Sequence, residues 1–155
     1  MIEVIKVPLK DINLNDSFFD SLRNDYPGFN EWFEVHQASN DEAYITYNSP
    51  SNLGSFLLLK IEPSYEYLKL GLDTCKDKDV LKIASFKVLN TGQGIGSSYL
   101  EIISNIAKLN KVGIIYTTVY PKYDRFINFL KYYGFEKSGS KDKELVLKKL
   151  VKADD

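Results

Sequence analysis

Cysteine is nearly absent from this 155-residue sequence, which contains only Cys75. One thiol excludes an internal disulfide framework, and the charged surroundings of Cys75 in DTCKDKD are typical of a loop rather than of a catalytic nucleophile. Long apolar runs are also missing, since the longest, FLLL at 56–59, is far too short to cross a bilayer. The N-terminal residues MIEVIKVPLK lack the basic start and apolar centre of a signal peptide. These absences predict a cytoplasmic protein with no membrane partner.

An excess of charge of one sign is missing as well. The sequence has 21 acidic and 20 basic residues, which gives a formal net charge of -1. Because nucleic-acid binding needs a basic surface that releases counterions, nucleic acid is not an expected partner. What is present is an ordinary globular composition, 44% hydrophobic and 26% charged. The length predicts one domain over residues 1–150, followed by a frayed tail at 151–155.

The periodicity of apolar residues predicts a mixed α/β (α+β) sheet with helices on both faces. The expected order is β-α-α-β-β-β-α-β-α-β, with about six or seven strands and about four helices. Helices are expected at 17–26, 31–39, 95–107 and 122–133, the first capped by Asp16 and the second by Asn30. Strands are expected at 2–7, 42–48, 55–62, 80–89, 112–120 and 144–150, with a further short strand at 66–70.

The most informative segment is NTGQGIGSSYLEIISNIAKLN at 90–110, which places Gly92, Gly94 and Gly96 directly before the clearest helix. The start of a helix presents backbone N–H groups and the positive end of the helix dipole. Residues without a Cβ allow an anion to approach those groups closely, so a phosphate-binding loop is favoured. A tight turn with no ligand is the alternative interpretation.

Two common phosphate-binding loops do not fit this segment. A phosphate-transfer loop of the G-x-x-x-x-G-K-[ST] type needs a lysine, and none lies between Val88 and Ala107. A dinucleotide-binding loop would need its third glycine where Ser97 stands, and an acidic residue after the next strand, VGIIYTTVY, which offers none. Nucleotide-dependent redox chemistry is therefore disfavoured.

The segment TGQGIGSSYL resembles the acetyl-CoA diphosphate loop of the GNAT N-acetyltransferases, whose motif is Arg or Gln followed by x-x-G-x-G/A at the start of a long helix. Gly94 and Gly96 match the two small positions, while Thr91 stands where Arg or Gln is usual. FLKYYGF at 129–135 is similar to the family signature FYEKLGF, and the predicted element order follows the family along most of the chain. The resemblance implies a GNAT-like fold and an acetyl-CoA-dependent N-acetyltransferase.

The resemblance also implies where acetyl-CoA would bind, with no metal required. The loop amides would hold the diphosphate, and the preceding strand would pair with the pantetheine arm. The thioester would lie where that strand and 112–119 separate at a β-bulge, and a backbone N–H near Phe86 or Lys87 would stabilise the oxyanion. The implied cofactor-binding residues are Phe86, Lys87, Val88, Thr91, Gly92, Gln93, Gly94, Ile95, Gly96 and Ser97.

Direct attack by an amine needs a base and an acid. Glu62, at the end of a predicted strand beside the implied cleft, is the candidate base, although a solvated strand-end carboxylate is the alternative. His36 is the only histidine, and an exposed helix residue is its simpler interpretation. Leu130 replaces the tyrosine that often serves the family as the acid. Tyr123 is the candidate acid because it starts the helix predicted at 122–133 and lies on the same face as Phe126 and Leu130. Tyr132 and Tyr133 are alternatives for the acid.

Other functions remain open at this level. A non-catalytic acyl-CoA binding or sensing module would keep the loop without the acid, and Leu130 favours it. A protein-interaction domain could use the 11 Tyr and 9 Phe residues, although their periodicity is more typical of a core. The expected partner of an enzyme is a small-molecule or peptide amine acceptor. A homodimer formed by strand addition also remains open.

Overall fold

The computed structural model of the protein describes residues 3–64, 78–89 and 94–152. The strands in these ranges are β1 (Ile5–Pro8), β2 (Glu42–Ser49), β3 (Asn52–Glu62), β4 (Val80–Val88), β5 (Ile114–Val119), β6 (Glu136–Lys141) and β7 (Glu144–Leu150). The α-helices are α1 (Asp20–Asp25), α2 (Phe29–Ala38), α3 (Ile95–Leu109) and α4 (Asp124–Tyr132).

The strands form one mixed sheet in the order β1-β2-β3-β4-β5-β7-β6. β4 and β5 are parallel, whereas the pairs β1–β2, β2–β3, β5–β7 and β6–β7 are antiparallel. The predicted mixed sheet is therefore confirmed. The strand predicted at 66–70 lies outside the described residues.

The chain divides into two compact units, the first of which contains residues up to Leu58 together with Ser85–Ser97. Phe19 lies at the centre of an aromatic core in this unit. Its ring centroid is 5.2–5.8 Å from those of Phe18, Phe29, Phe33 and Phe56. Because buried rings contribute a large share of the hydrophobic free energy, this cluster holds α2 and a 3₁₀ turn at Ser17–Phe19 against β3.

The two predicted helix caps have different outcomes. Asp16 is confirmed, because its Oδ1 accepts the Phe18 N–H at 2.8 Å, and its Oδ2 also accepts the Leu53 N–H of β3 at 3.1 Å. Asn30 is wrong as a cap, because Gly28, with a φ of +83°, begins α2 earlier and leaves Asn30 inside the helix. The Asn30 Oδ1 is buried, with no hydrogen-bond partner within the part of the chain that the structure describes.

The second unit contains Leu59–Ala84 and the chain from Ser98 onward. At its centre, β5 pairs with β4 through Val80–Lys82 and with β7 along all of Ile114–Val119. The buried residues that α3 contributes to this unit are Tyr99, Leu100, Ile103 and Ala107. The helix predicted at 95–107 is confirmed. No helix in the described ranges has the length and apolarity to cross a membrane. The prediction of one domain over 1–150 stays a prediction.

The strand β6 was missed by the sequence prediction. Its sequence, EKSGSK, has no alternation of apolar and polar residues, and none of its residues is buried. The strand forms because its backbone pairs with β7, with a register shift between Lys137 and Gly139. A strand at the outer end of a sheet needs only one partner and no buried face, so hydrophobic periodicity does not reveal it.

Candidate functional site

The start of α3 is a candidate ligand-binding feature of the first unit. Gly94, which precedes the helix, has a φ of +77° in the left-handed region that favours glycine. A Cβ at Gly94 would meet no heavy atom within 4 Å. Substitution of Gly94 by another residue would therefore strain the backbone without causing a steric clash. Ile95 is buried, Gly94 and Ser97 are exposed, and the first turn contains no acidic side chain. The helix start is thus anchored on one side and suited to an anion on the other.

The second half of β4 is the segment that precedes this loop. Ser85–Val88 are half-buried, whereas Val80 and Leu81 at the start of the strand are buried. Leu89 follows the strand and donates its backbone N–H to the Gly54 carbonyl at 2.8 Å. The use of the Phe86–Val88 backbone by a ligand stays a prediction. The predicted residues Thr91, Gly92 and Gln93 lie outside the described residues.

Lys87 has a side-chain role that the sequence did not reveal. Its Nζ donates hydrogen bonds to the Phe18 carbonyl and, at 2.8 Å, to the Ser21 Oγ, and it lies 4.6 Å from the centroid of the Phe18 ring. Burial of the amine lowers the pKa of Lys87, an effect that Asp20 opposes by favouring the charged form. Lys87 therefore ties the end of β4 to the 3₁₀ turn and to α1.

Glu62 and Tyr116 form a separate candidate group within the second unit. Glu62 is the last residue of β3 and is half-buried. The Tyr116 hydroxyl donates a hydrogen bond of 2.7 Å to the Glu62 Oε1. The Tyr116 ring is 3% exposed and packs in a cluster with Val80, Ile114 and Val146. The predicted base is thus held by a tyrosine that the sequence prediction did not include, because 54 residues separate the two.

The described parallel register between β5 and β4 ends at Tyr116. The paired positions run from Val80 opposite Ile114 to Lys82 opposite Tyr116. At the following position the Thr117 hydroxyl donates to the Ile83 carbonyl at 3.0 Å. On its other side, Tyr116 stands opposite Lys148 of β7, which is 6% exposed. Tyr116 therefore lies on a strand that is paired on both sides, at the end of the described parallel register.

Tyr123, the predicted acid, lies directly before α4 as its N-cap residue. It is half-buried, with the Lys122 Nζ 5.3 Å from its ring centroid and the Tyr120 ring 6.4 Å away. Leu130 is fully buried in α4 and therefore acts as a core residue. Tyr132, one of the alternatives for the acid, is 82% exposed. The role of Tyr123 as the acid stays a prediction.

His36 is not the exposed residue that the sequence suggested. It is half-buried on α2, and its ring centroid lies 4.5 Å from that of Trp32. Its Nδ1 pairs with the Asp41 Oδ2 at 2.5 Å. This pairing gives His36 a structural role at the end of α2. Within residues 3–64, 78–89 and 94–152, no three His, Cys, Asp or Glu side chains are grouped as a metal site would require.

Comparisons with known proteins give no match from sequence and many from structure. No protein-family model matches the chain, and a search of curated proteins found no match. The structure of Arabidopsis thaliana NAA60 in complex with a bisubstrate analogue has a TM-score of 0.70 and 14% identity, covering 97% of this chain and 99% of that chain. Naa20 of Chaetomium thermophilum, also with a bisubstrate analogue, has a TM-score of 0.66 and 16% identity, covering 98% and 88%.

A third similar structure is the PaiA N-acetyltransferase of Thermoplasma acidophilum in complex with coenzyme A. It has a TM-score of 0.61 and 15% identity, and the match covers 97% of this chain and 99% of that chain. At such low identity, the structural similarity shows the fold alone. The chain therefore has the fold of the GNAT N-acetyltransferases, which confirms the fold that the glycine loop and FLKYYGF implied.

Proposed function

We propose that this protein is an acetyl-CoA-dependent N-acetyltransferase that passes the acetyl group directly to an amine. The observation that carries the proposal is the start of α3, where Gly94 adopts a left-handed conformation next to an exposed first turn without acidic side chains. The GNAT fold supports it, since the loop before α3 is the one that resembles the diphosphate loop of that family. The PaiA structure, which has this fold, contains coenzyme A.

In this proposal, backbone amides between Thr91 and Ser97 hold the diphosphate of acetyl-CoA. The positive end of a 15-residue helix favours an anion by about 0.3 to 2 kcal/mol. The pantetheine arm pairs with the backbone of Phe86–Val88, and an N–H near Phe86 or Lys87 donates to the oxyanion. Since these contacts come from the main chain, the loop tolerates Thr91 in place of the usual Arg or Gln.

The acceptor is a small-molecule or peptide amine, and its deprotonation is the first chemical requirement. An alkyl amine with a pKa near ~10.4 is almost fully protonated at neutral pH, and releasing its lone pair costs roughly 4 to 5 kcal/mol. Glu62 takes this proton, directly or through a water molecule. The amine nitrogen then forms a bond to the thioester carbon, the carbon–sulfur bond breaks, and Tyr123 supplies a proton to the departing thiolate. The nitrogen releases its second proton to water, and water returns a proton to Tyr123, so that the products are the amide and the free thiol.

The first experiment is a thermal-shift screen with acetyl-CoA, CoA and a panel of amines, followed by an assay of acetyl transfer. At about 100 times its Kd a ligand adds about 2.7 kcal/mol to the free energy of unfolding. For a chain of this size that gain corresponds to a rise in Tm of about 5 to 10 °C. A chain that acetyl-CoA does not stabilise, and that transfers no acetyl group to any amine of the panel, would contradict the proposal.

A second candidate function is a non-catalytic acyl-CoA binding module. The observation that favours it is Leu130, which is buried in α4 where the family often has its acid. This function and the proposed one make the same prediction for binding and opposite predictions for turnover. Stabilisation by acetyl-CoA with no acetylated product from small-molecule amines, peptide N-termini or lysine side chains would favour the binding module.

A further inference from the structure

We propose that Tyr116 is a positioning residue that holds the Glu62 carboxylate in the orientation needed to accept the proton of the acceptor amine. This inference rests on the proposed function and adds a residue to it. It starts from the 2.7 Å hydrogen bond that the Tyr116 hydroxyl donates to the Glu62 Oε1. Hydrogen bonds to an ionised carboxylate are about twice as strong as neutral ones.

The Tyr116 hydroxyl is a rigid donor because both its backbone and its ring are held. β5 is paired with β4 at Lys82 and with β7 at Lys148, so the strand is bound on both sides at this residue. The ring is 3% exposed and packs in the cluster with Val80 and its neighbours. A phenol that is anchored in this way places its oxygen at one point with little remaining rotamer freedom.

Within the described residues, Glu62 is held less firmly than Tyr116. It ends β3, directly before Pro63, and is only half-buried. A glutamate in this setting loses side-chain entropy when it is confined to one rotamer. The hydrogen bond from Tyr116 selects that rotamer before the acceptor binds, which removes part of this cost from the reaction.

The two carboxylate oxygens have separate roles in this proposal. Because Oε1 accepts the hydrogen bond from the Tyr116 hydroxyl, Oε2 is the oxygen that takes the proton of the amine nitrogen. Tyr116 keeps its own proton throughout, so it neither loses nor gains charge. Its effect passes through Glu62, which makes it a positioning residue and not a catalytic one.

The test is a double-mutant cycle of Tyr116→Phe and Glu62→Gln, with kcat and the KM for acetyl-CoA measured for each variant. Tyr116→Phe retains the buried ring and removes the hydroxyl, and we expect kcat to fall about tenfold with KM unchanged. Glu62→Gln alone lowers kcat about 1,000-fold. In the Glu62→Gln background, Tyr116→Phe changes kcat by less than about twofold, because no base remains to be oriented.

Tyr44→Phe is the matched control, since it removes a tyrosine hydroxyl from β2, in the other unit, and should leave kcat unchanged. If an active wild type and Tyr116→Phe have equal kcat, or if Tyr116→Phe lowers kcat equally with and without Glu62, the positioning role is wrong and the acetyltransferase stands. If the wild type and Glu62→Gln transfer acetyl groups at the same rate, Glu62 is not the base and the positioning role of Tyr116 is likewise wrong. A wild type without any transfer contradicts both.

Discussion

The start of α3 and the Glu62–Tyr116 pair are built from different parts of the chain. The first is a main-chain feature within a few consecutive residues, where Gly94 takes a φ of +77° before the helix. The second joins two side chains that are 54 residues apart. A site formed by the main chain is visible locally in the sequence, as glycines, whereas a side-chain pair depends on strand order and register. We expect the first to control acetyl-CoA affinity and the second to control turnover.

The largest expected effect comes from neutralising the base. Glu62→Gln should lower kcat/KM for the amine about 1,000-fold while changing acetyl-CoA affinity less than about twofold, because it removes a proton acceptor and no diphosphate contact. Steady-state kinetics and calorimetry measure the two quantities separately. Glu42→Gln is the matched control, because Glu42 is exposed and pairs with Lys6 at 3.6 Å. This variant should change neither kcat/KM for the amine nor the affinity for acetyl-CoA. A Glu62→Gln enzyme with an unchanged rate and pH profile would eliminate this role.

The second effect concerns the leaving group. Tyr123→Phe should lower kcat about 100-fold if its hydroxyl protonates the CoA thiolate. An acetyl thioester with a more acidic thiol needs less help in leaving, so the difference between wild type and variant should shrink with that substrate. Tyr132→Phe, at a position that is 82% exposed on the same helix, is the control. An equal loss with both thioesters would show that Tyr123 is not the acid.

The third effect separates ligand binding from backbone strain. Gly94 and Gly28 both have positive φ, +77° and +83°, and a Cβ at either would meet nothing within 4 Å. Alanine at each should therefore cost a similar free energy of unfolding, about 1 to 2 kcal/mol. Only Gly94→Ala should also weaken acetyl-CoA binding, by about tenfold in calorimetry, because it narrows the approach to the amides. Equal affinities for the two variants would place the diphosphate elsewhere.

The smallest effect separates the main chain of Lys87 from its side chain. Lys87→Met retains the backbone N–H, so acetyl-CoA affinity should stay within about twofold. Burial lowers the pKa of Lys87 in the folded chain below its ordinary value of 10.5. At pH values between the lowered pKa and 10.5, the unfolded chain therefore binds more protons than the folded chain. The stability of the wild type should therefore rise, relative to that of Lys87→Met, as the pH increases through this window toward 10.5.

Chemical denaturation at several pH values measures this difference. Ser21→Ala is the control, because it removes one hydrogen-bond acceptor of Lys87 and leaves the buried amine in place. It should retain the pH dependence that Lys87→Met loses. A pH dependence that is identical in wild type and Lys87→Met would show that this amine is not stabilised in its neutral form.

The sequence predicted those parts of the fold whose cause is local. The helix at 95–107, the strands at 42–48 and 55–62, and the cap at Asp16 all depend on residues a few positions apart, and all are present. Asn30 is not the cap of α2 because Gly28 is its N-cap residue, in a left-handed conformation that glycine adopts more easily than other residues. β6 escaped prediction because its polar residues depend on β7 for pairing and bury no face of their own.

The candidate site follows the same division. Gly94 and the residues after it stand at the start of α3, as the glycine spacing indicated. The position of Glu62 at a strand end predicts it as a base, but nothing near it in the sequence points to Tyr116. The resemblance predicts a role for the Lys87 backbone, whereas the Lys87 side chain binds Phe18 and Ser21, more than 60 residues earlier. Such contacts form only when the strands are paired in the order of the folded sheet, which local sequence does not specify.

The outer strands of the sheet also bear on self-association. β1 has four residues and ends at Pro8, which lacks an N–H group. β6, at the opposite end, carries charged side chains and an irregular register at Gly139. Within the described residues, neither outer strand offers the unbroken row of donors and acceptors with which a strand from a second copy would pair. We therefore expect association by edge pairing, including fibrillar growth, to be less favourable than association through side chains of helices or loops.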